Sequence, residues 1–96
     1  MAGHSFSYVY LLRSEMAPCQ VYVGQTRDLR QRFADHKAGK AKHTSKFRPW
    51  RIATYVAFSD HDQTLAFERY LKSASGIAFA NKRLRPNSLE GTESEE

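Results

Sequence analysis

Ninety-six residues with 41% hydrophobic side chains and a formal charge of +5 describe one small domain with a modest core. A single cysteine, Cys19, excludes an internal disulfide and a cysteine-based zinc cluster, and it reads as an incidental turn or strand-end residue. No apolar run nears the roughly 18 residues of a membrane span, and no basic-then-apolar leader opens the chain, so a cytoplasmic protein without membrane association is expected.

Residues 1–5 read as a flexible N-terminus. Phe6–Arg13 then alternates with the strand period, Tyr8, Tyr10 and Leu12 on one face and Val9 and Leu11 on the other. Ser14–Cys19, containing Pro18, is a hairpin-length connection to a second, antiparallel strand, Gln20–Gly24. The tyrosines of the two strands can therefore meet. Gly24 marks a point where the backbone turns sharply or approaches something closely. Thr26 or Asp28 can cap a helix that runs to about Lys37 and closes at Gly39.

At about 100° per residue, Phe33, Arg32 and His36 all fall within about 60° of Leu29, whereas Arg30, Gln31, Asp35 and Lys37 point away. Arg32 and His36 thus face the sheet beside the largest apolar residues of their helix. A merely solvated pair would face outward.

Lys40–Trp50 reads as a basic loop. Arg51–Phe58 is the third strand, with Ile52, Val56 and Phe58 on one face and Ala53, Tyr55 and Ala57 on the other; Tyr55 is expected in the core. A second helix, capped by Ser59, Asp60 or Asp62, runs to about Ala74. Ala66, Phe67, Tyr70, Leu71 and Ala74 share an arc of it, with Glu68 just off the edge. Gly76 breaks the chain, Ile77–Leu84 forms a last short helix, and Pro86 stops it. The order β-β-α-β-α-α is an α+β sandwich with a three-stranded, mostly antiparallel sheet flanked by helices. It occupies residues 6–85, and 86–96 reads as a disordered acidic tail.

Charge is unevenly spread. Residues 1–88 hold 15 bases against 6 acids, and the stretch Lys37, Lys40, Lys42, Lys46, Arg48, Arg51 contains no acid at all. Such a run suits a polyanion through counterion release, and equally suits a solvated surface.

One ordered set stands out: Tyr8-Val9-Tyr10, Tyr22-Val23-Gly24, Arg32 ten residues after Tyr22, His36 four later, and Glu68 on the helix after the third strand. This set resembles the signature of the GIY-YIG endonuclease superfamily. Within it the chain looks like the small stand-alone group of single-domain proteins, related to the nuclease module of the bacterial excision-repair endonuclease. Ala66-Phe67-Glu68-Arg69-Tyr70-Leu71-Lys72 and Ser75-Gly76-Ile77-Ala78-Phe79-Ala80 look typical of that group. Two departures are visible. The first motif reads Tyr-Val-Tyr, so only Tyr10 carries its functional tyrosine. Gln25 stands where some catalytic members carry lysine.

The resemblance implies a phosphodiester hydrolase using one divalent ion, magnesium or manganese, on Glu68. It further implies Arg32 as phosphate clamp, His36 as water-orienting or proton-relaying group, and Tyr10 and Tyr22 as phosphate or general-base tyrosines. The residues leave a bland alternative open for Glu68, an i,i+4 pair with Lys72 worth about 0.3–0.5 kcal/mol. Nucleic-acid binding falls to Lys37, Lys40, Lys42, Lys46 and Arg48, joined through the resemblance by Asn81. His43 in that loop is expected to be solvated. The expected partner is DNA recognised by structure rather than sequence, with the protein a monomer or weak homodimer. The competing function is a nucleic-acid-binding module of the same fold with little or no cleavage. A third reading is a protein-interaction domain recruited to a repair or recombination complex, the acidic tail its docking segment.

Overall fold

The computed structural model describes residues 5–84. The termini, including the tail read at 86–96, lie outside the described residues. Strands β1 (Ser7–Ser14), β2 (Val21–Thr26) and β3 (Trp50–Phe58) form a fully antiparallel sheet in the order β2-β1-β3. Helix α1 (Leu29–Ala38) lies on one face, and α2 (His61–Leu71) with α3 (Ala74–Arg83) lies on the other. A short 3-10 turn, Lys42–Thr44, interrupts the basic loop.

The alternation of β1 divides the core. Val9 and Leu11 pack with Leu71 and Ala80 under α2 and α3, joined by Val21, Val23 and Phe67. Tyr10 and Leu12 pack with Trp50 under α1, joined by Leu29, Phe33 and Ile52. Each fully buried aliphatic side chain here contributes about 1.5–3 kcal/mol.

Asp28 caps α1 by accepting from the Gln31 amide, and Gly39 closes it in the left-handed region at φ 79°. Asp60 caps α2 through the Asp62 amide. Among the described residues no helix is long and apolar enough to cross a membrane.

Three local expectations change. A β-bulge shifts the β1–β3 register between Leu11 and Leu12, so Ile52 packs under α1 while Ala53 and Phe58 pack under α2. Uninterrupted alternation over β3 cannot anticipate that switch. Tyr55 is not a core residue: it is 55% exposed, because α1 covers Tyr10 and leaves its cross-strand neighbour open. Gly76 does not break the chain. The break falls at Lys72–Ser73, where Ser73 caps α3 by accepting from the Gly76 amide, and Gly76 sits inside the first turn. A Cβ on Gly76 would stand 1.7 Å from the Tyr70 carbonyl oxygen, so the glycine is needed for close approach of α3 to the end of α2.

Candidate active site

Tyr10 sits opposite Gly24 in the β1–β2 register, and Tyr22 lies two residues back on the same face of β2. With no side chain at Gly24, the two rings close over its backbone, their centroids 6.2 Å apart. A Cβ there would lie 2.5 Å from the Tyr10 hydroxyl oxygen and 2.9 Å from the Tyr22 ring. The close approach expected at this glycine is therefore to the tyrosine pair itself. Gly24→Ala is expected to destabilise the fold by about 1–3 kcal/mol through overpacking, measured as a shift in urea midpoint. It also displaces the Tyr10 hydroxyl from the partner described next.

From α1, His36 reaches down to Tyr10. Its Nε2 lies 2.9 Å from the Tyr10 hydroxyl, and its Nδ1 lies 2.6 Å from Oγ1 of Thr44. The Thr44 hydroxyl donates to the carbonyl of Ala41, so its oxygen accepts from Nδ1–H. That assigns Nε2 as the acceptor of the Tyr10 hydroxyl proton. Trp50 holds the threonine in turn, donating from Nε1 to the Thr44 carbonyl at 2.6 Å. His36 and Thr44 are completely buried.

Arg32, one turn before His36, is the exposed member of the group, with 39% of its side chain open and Asp35 as a loose partner at 3.9 Å. Its guanidinium interacts electrostatically with the Tyr10 phenol and, more weakly, with that of Tyr22. The Tyr10 hydroxyl thus donates to a neutral imidazole while a guanidinium stands within electrostatic reach of it.

Burial raises the Tyr10 pKa above its ordinary value, with the nearby Arg32 guanidinium opposing it and the Tyr22 and Glu68 charges reinforcing it. Burial lowers the His36 pKa, and the Arg32 charge lowers it further against Asp35. The phenols, burial notwithstanding, raise the Arg32 pKa. At neutral pH the set is a phenol, a neutral imidazole and a guanidinium.

Glu68 lies on α2, across the sheet from α1 yet within electrostatic reach of Tyr10. Its Oε2 is 2.8 Å from Nζ of Lys72, the i,i+4 pair that its spacing allows. Among the described residues no three or more His, Cys, Asp or Glu side chains converge as a ready ligand cage. One carboxylate within electrostatic reach of a phenol fits a magnesium ion that keeps its waters and takes phosphate oxygens from a substrate. It does not fit an ion held by protein alone. Lys72 is half exposed, so it can yield the carboxylate.

The remaining candidates divide between two places. Lys37, Lys46 and Arg48 line an open cleft with Phe33, Pro49 and Trp50. There Lys37 lies over Phe33 and Lys46 over Phe47, with Arg48 donating to the Ser45 carbonyl. Lys40 and Lys42 are exposed in the same loop, and His43 is exposed as expected. Asn81, exposed on α3, lines a different, mainly apolar cleft that also contains Tyr22 and Lys72. Thr44 and Trp50 escaped the sequence reading as site-supporting residues. No sequence signal separates Thr44 from the other uncharged residues of the basic run, such as Ala41, Ser45 and Phe47.

Comparison with known proteins gives a consistent result. A family model described as the GIY-YIG catalytic domain matches residues 6–82. A UPF0213 protein of Cupriavidus pinatubonensis is 40% identical over 83 residues, covering 82% of this chain and 90% of that one. The structure-specific endonuclease subunit SLX1 of Scheffersomyces stipitis is 45% identical over 71 residues, covering 67% of this chain. The match spans only 21% of that longer relative. The solution structure of a UPF0213 protein from Bacillus halodurans superposes with a TM-score of 0.51 at 25% identity, covering 92% of this chain and 99% of that one.

Proposed function

The chain belongs to the GIY-YIG family, and from that premise we propose that it is a divalent-metal-dependent DNA endonuclease hydrolysing phosphodiester bonds. The observation that carries the reading is the hydrogen-bonded line from Tyr10 through His36 to Thr44, with the Arg32 guanidinium in electrostatic reach of the phenol. The hydrogen-bond partner of this buried tyrosine is a base, and a cation stands in reach of both.

Arg32 moves from the phenol to the scissile phosphate, where its planar fork meets two oxygens and the charge that develops on them. That motion uncovers Tyr10. As a water attacks phosphorus, its proton passes to the Tyr10 oxygen while the Tyr10 proton passes to Nε2 of His36, which becomes imidazolium. Thr44 keeps the ring oriented and accepts from Nδ1–H throughout. Tyr22, half exposed at the mouth, positions the phosphate. Glu68 would hold the magnesium ion, which supplies charge neutralisation for the departing oxygen when bound.

Phosphate contacts from the Lys37–Arg51 segment supply affinity without sequence readout, favouring recognition of DNA structure. Binding is expected to fall steeply with salt, log K against log salt having a slope of about −3 or steeper. A flat salt response would contradict a phosphate-driven interface.

The binding-module reading has one observation on its side, the Lys72–Glu68 pair, which occupies the proposed ligand. A panel of single-stranded, duplex, flap and branched DNAs with magnesium, manganese or EDTA separates the two. The nuclease reading predicts metal-dependent cutting that Glu68→Gln lowers about 10²-fold or more, with DNA binding in EDTA intact. Binding without cutting by the wild type would favour the module.

A further inference from the structure

We infer that the groove between β3 and the start of α1 is a stacking site for an unpaired base of DNA, through which a single-stranded arm is recognised. The choice of DNA as ligand rests on the nuclease reading; the site itself is built of residues that the proposed chemistry does not use.

Tyr55 on β3 pairs directly with buried Tyr10 on β1 but is itself 55% exposed. Tyr8 meets it edge-on, the centroids 6.0 Å apart and the planes at 69°, which holds one ring face of Tyr55 in a fixed attitude. Leu29 and Phe33 of α1 continue the apolar lining, and Arg27 and Arg30 stand at the same groove, whose volume is about 460 Å³. Asp28 also borders it, but its carboxylate is engaged as the cap of α1 through the Gln31 amide. An exposed aromatic face with guanidinium groups beside it is complementary to a base flanked by phosphates.

The location favours an unpaired strand. Tyr10 and Tyr55 are cross-strand neighbours, with Cα atoms about 4.5–5.5 Å apart in such a pair. Arg32 lies on one flank of α1 and the groove on the other. A strand clamped at Arg32 reaches Tyr55 by crossing the N-terminus of α1, past Arg27. A base inside a duplex is already stacked on both faces and offers nothing to Tyr55, whereas a base in a flap or branch arm is free to stack.

Binding measured by fluorescence anisotropy in EDTA, where no cutting occurs, tests the site with a short single strand and a duplex whose ends are closed by hairpins. Tyr55→Ala is expected to weaken single-strand binding about tenfold and to leave the closed duplex within about twofold. Tyr55→Phe, which keeps the ring, is expected to bind like the wild type. A 2-aminopurine in the strand should be quenched by wild type and Tyr55→Phe but not by Tyr55→Ala. Thermal melts confirm that both variants are folded.

Equal losses on both ligands, or no loss on the single strand, overturn the stacking site. Cleavage assayed in parallel with magnesium keeps the two readings apart. Cutting by the wild type without a Tyr55 effect removes the stacking site alone. Tyr55-dependent single-strand binding without any cutting removes the nuclease reading and leaves the stacking site in place.

Discussion

Arg32→Ala is expected to lower single-turnover cleavage about 10³-fold while leaving the protein folded. The size follows from the role: one pre-aimed donor to developing negative charge is worth about 10²–10³ in rate, and arginines at phosphoryl centres reach the upper end or beyond. Exposure of this side chain and its loose pairing with Asp35 at 3.9 Å argue against a structural role. Arg32→Lys keeps the charge but loses the fork, so an intermediate loss is expected.

A second readout distinguishes the clamp from mere charge. The Arg32 charge helps hold the His36 pKa down. In Arg32→Ala that influence disappears, so the acid limb of the residual rate moves up toward the ordinary histidine range near ~6.5. A loss of rate with an unmoved acid limb would place Arg32 away from His36 in the working enzyme.

Tyr10→Phe is expected to cost about 10²–10⁴-fold in the same assay, the range of a positioned acid–base group. The substitution removes the one oxygen that the imidazole accepts from and that the guanidinium charge acts on. The sign of the pH dependence follows from the pair. His36 can accept the Tyr10 proton only when neutral, and burial with the Arg32 charge keeps it neutral below its usual range. Wild-type cleavage should therefore stay flat through neutral pH and fall only as acid protonates His36, below ~6.5. Tyr10→Phe should lose that acid limb along with most of the rate. His36→Ala should be nearly as slow, and the double variant little slower than either, because the two act as one unit.

How much of this is legible in the sequence depends on the length scale of the signal. The direction of Arg32 and His36 can be read from helical period because Leu29 and Phe33 fix which side of α1 is inward, and full burial of His36 agrees. Tyr10 and Tyr22 can be paired because alternation sets one face per strand and a short connection makes the strands antiparallel. Gly24 announces a close approach, though not to what.

Features that depend on one residue of register, or on contacts between distant loops, leave no such trace. The bulge opposite Leu11 and Leu12 sends Ile52 to the other face. Tyr55 looks like a core tyrosine until the lateral position of α1 is known. Gly76 reads as a helix breaker, yet it serves a helix–helix contact where only a hydrogen fits. Thr44 supports His36 from eight residues away through a loop that composition describes only as basic. The Lys72 pairing of Glu68 is a local i,i+4 contact, and it was equally readable beside its proposed role at the metal.

The most direct test is single-turnover cleavage of a labelled branched DNA by wild type and Arg32→Ala, each in magnesium and in EDTA, at matched purity. Metal-dependent cutting by the wild type that drops about 10³-fold in the variant is the result predicted by a phosphate clamp over the Tyr10–His36 relay. Cutting that persists undiminished in Arg32→Ala, or in EDTA, would contradict it and place the chemistry elsewhere.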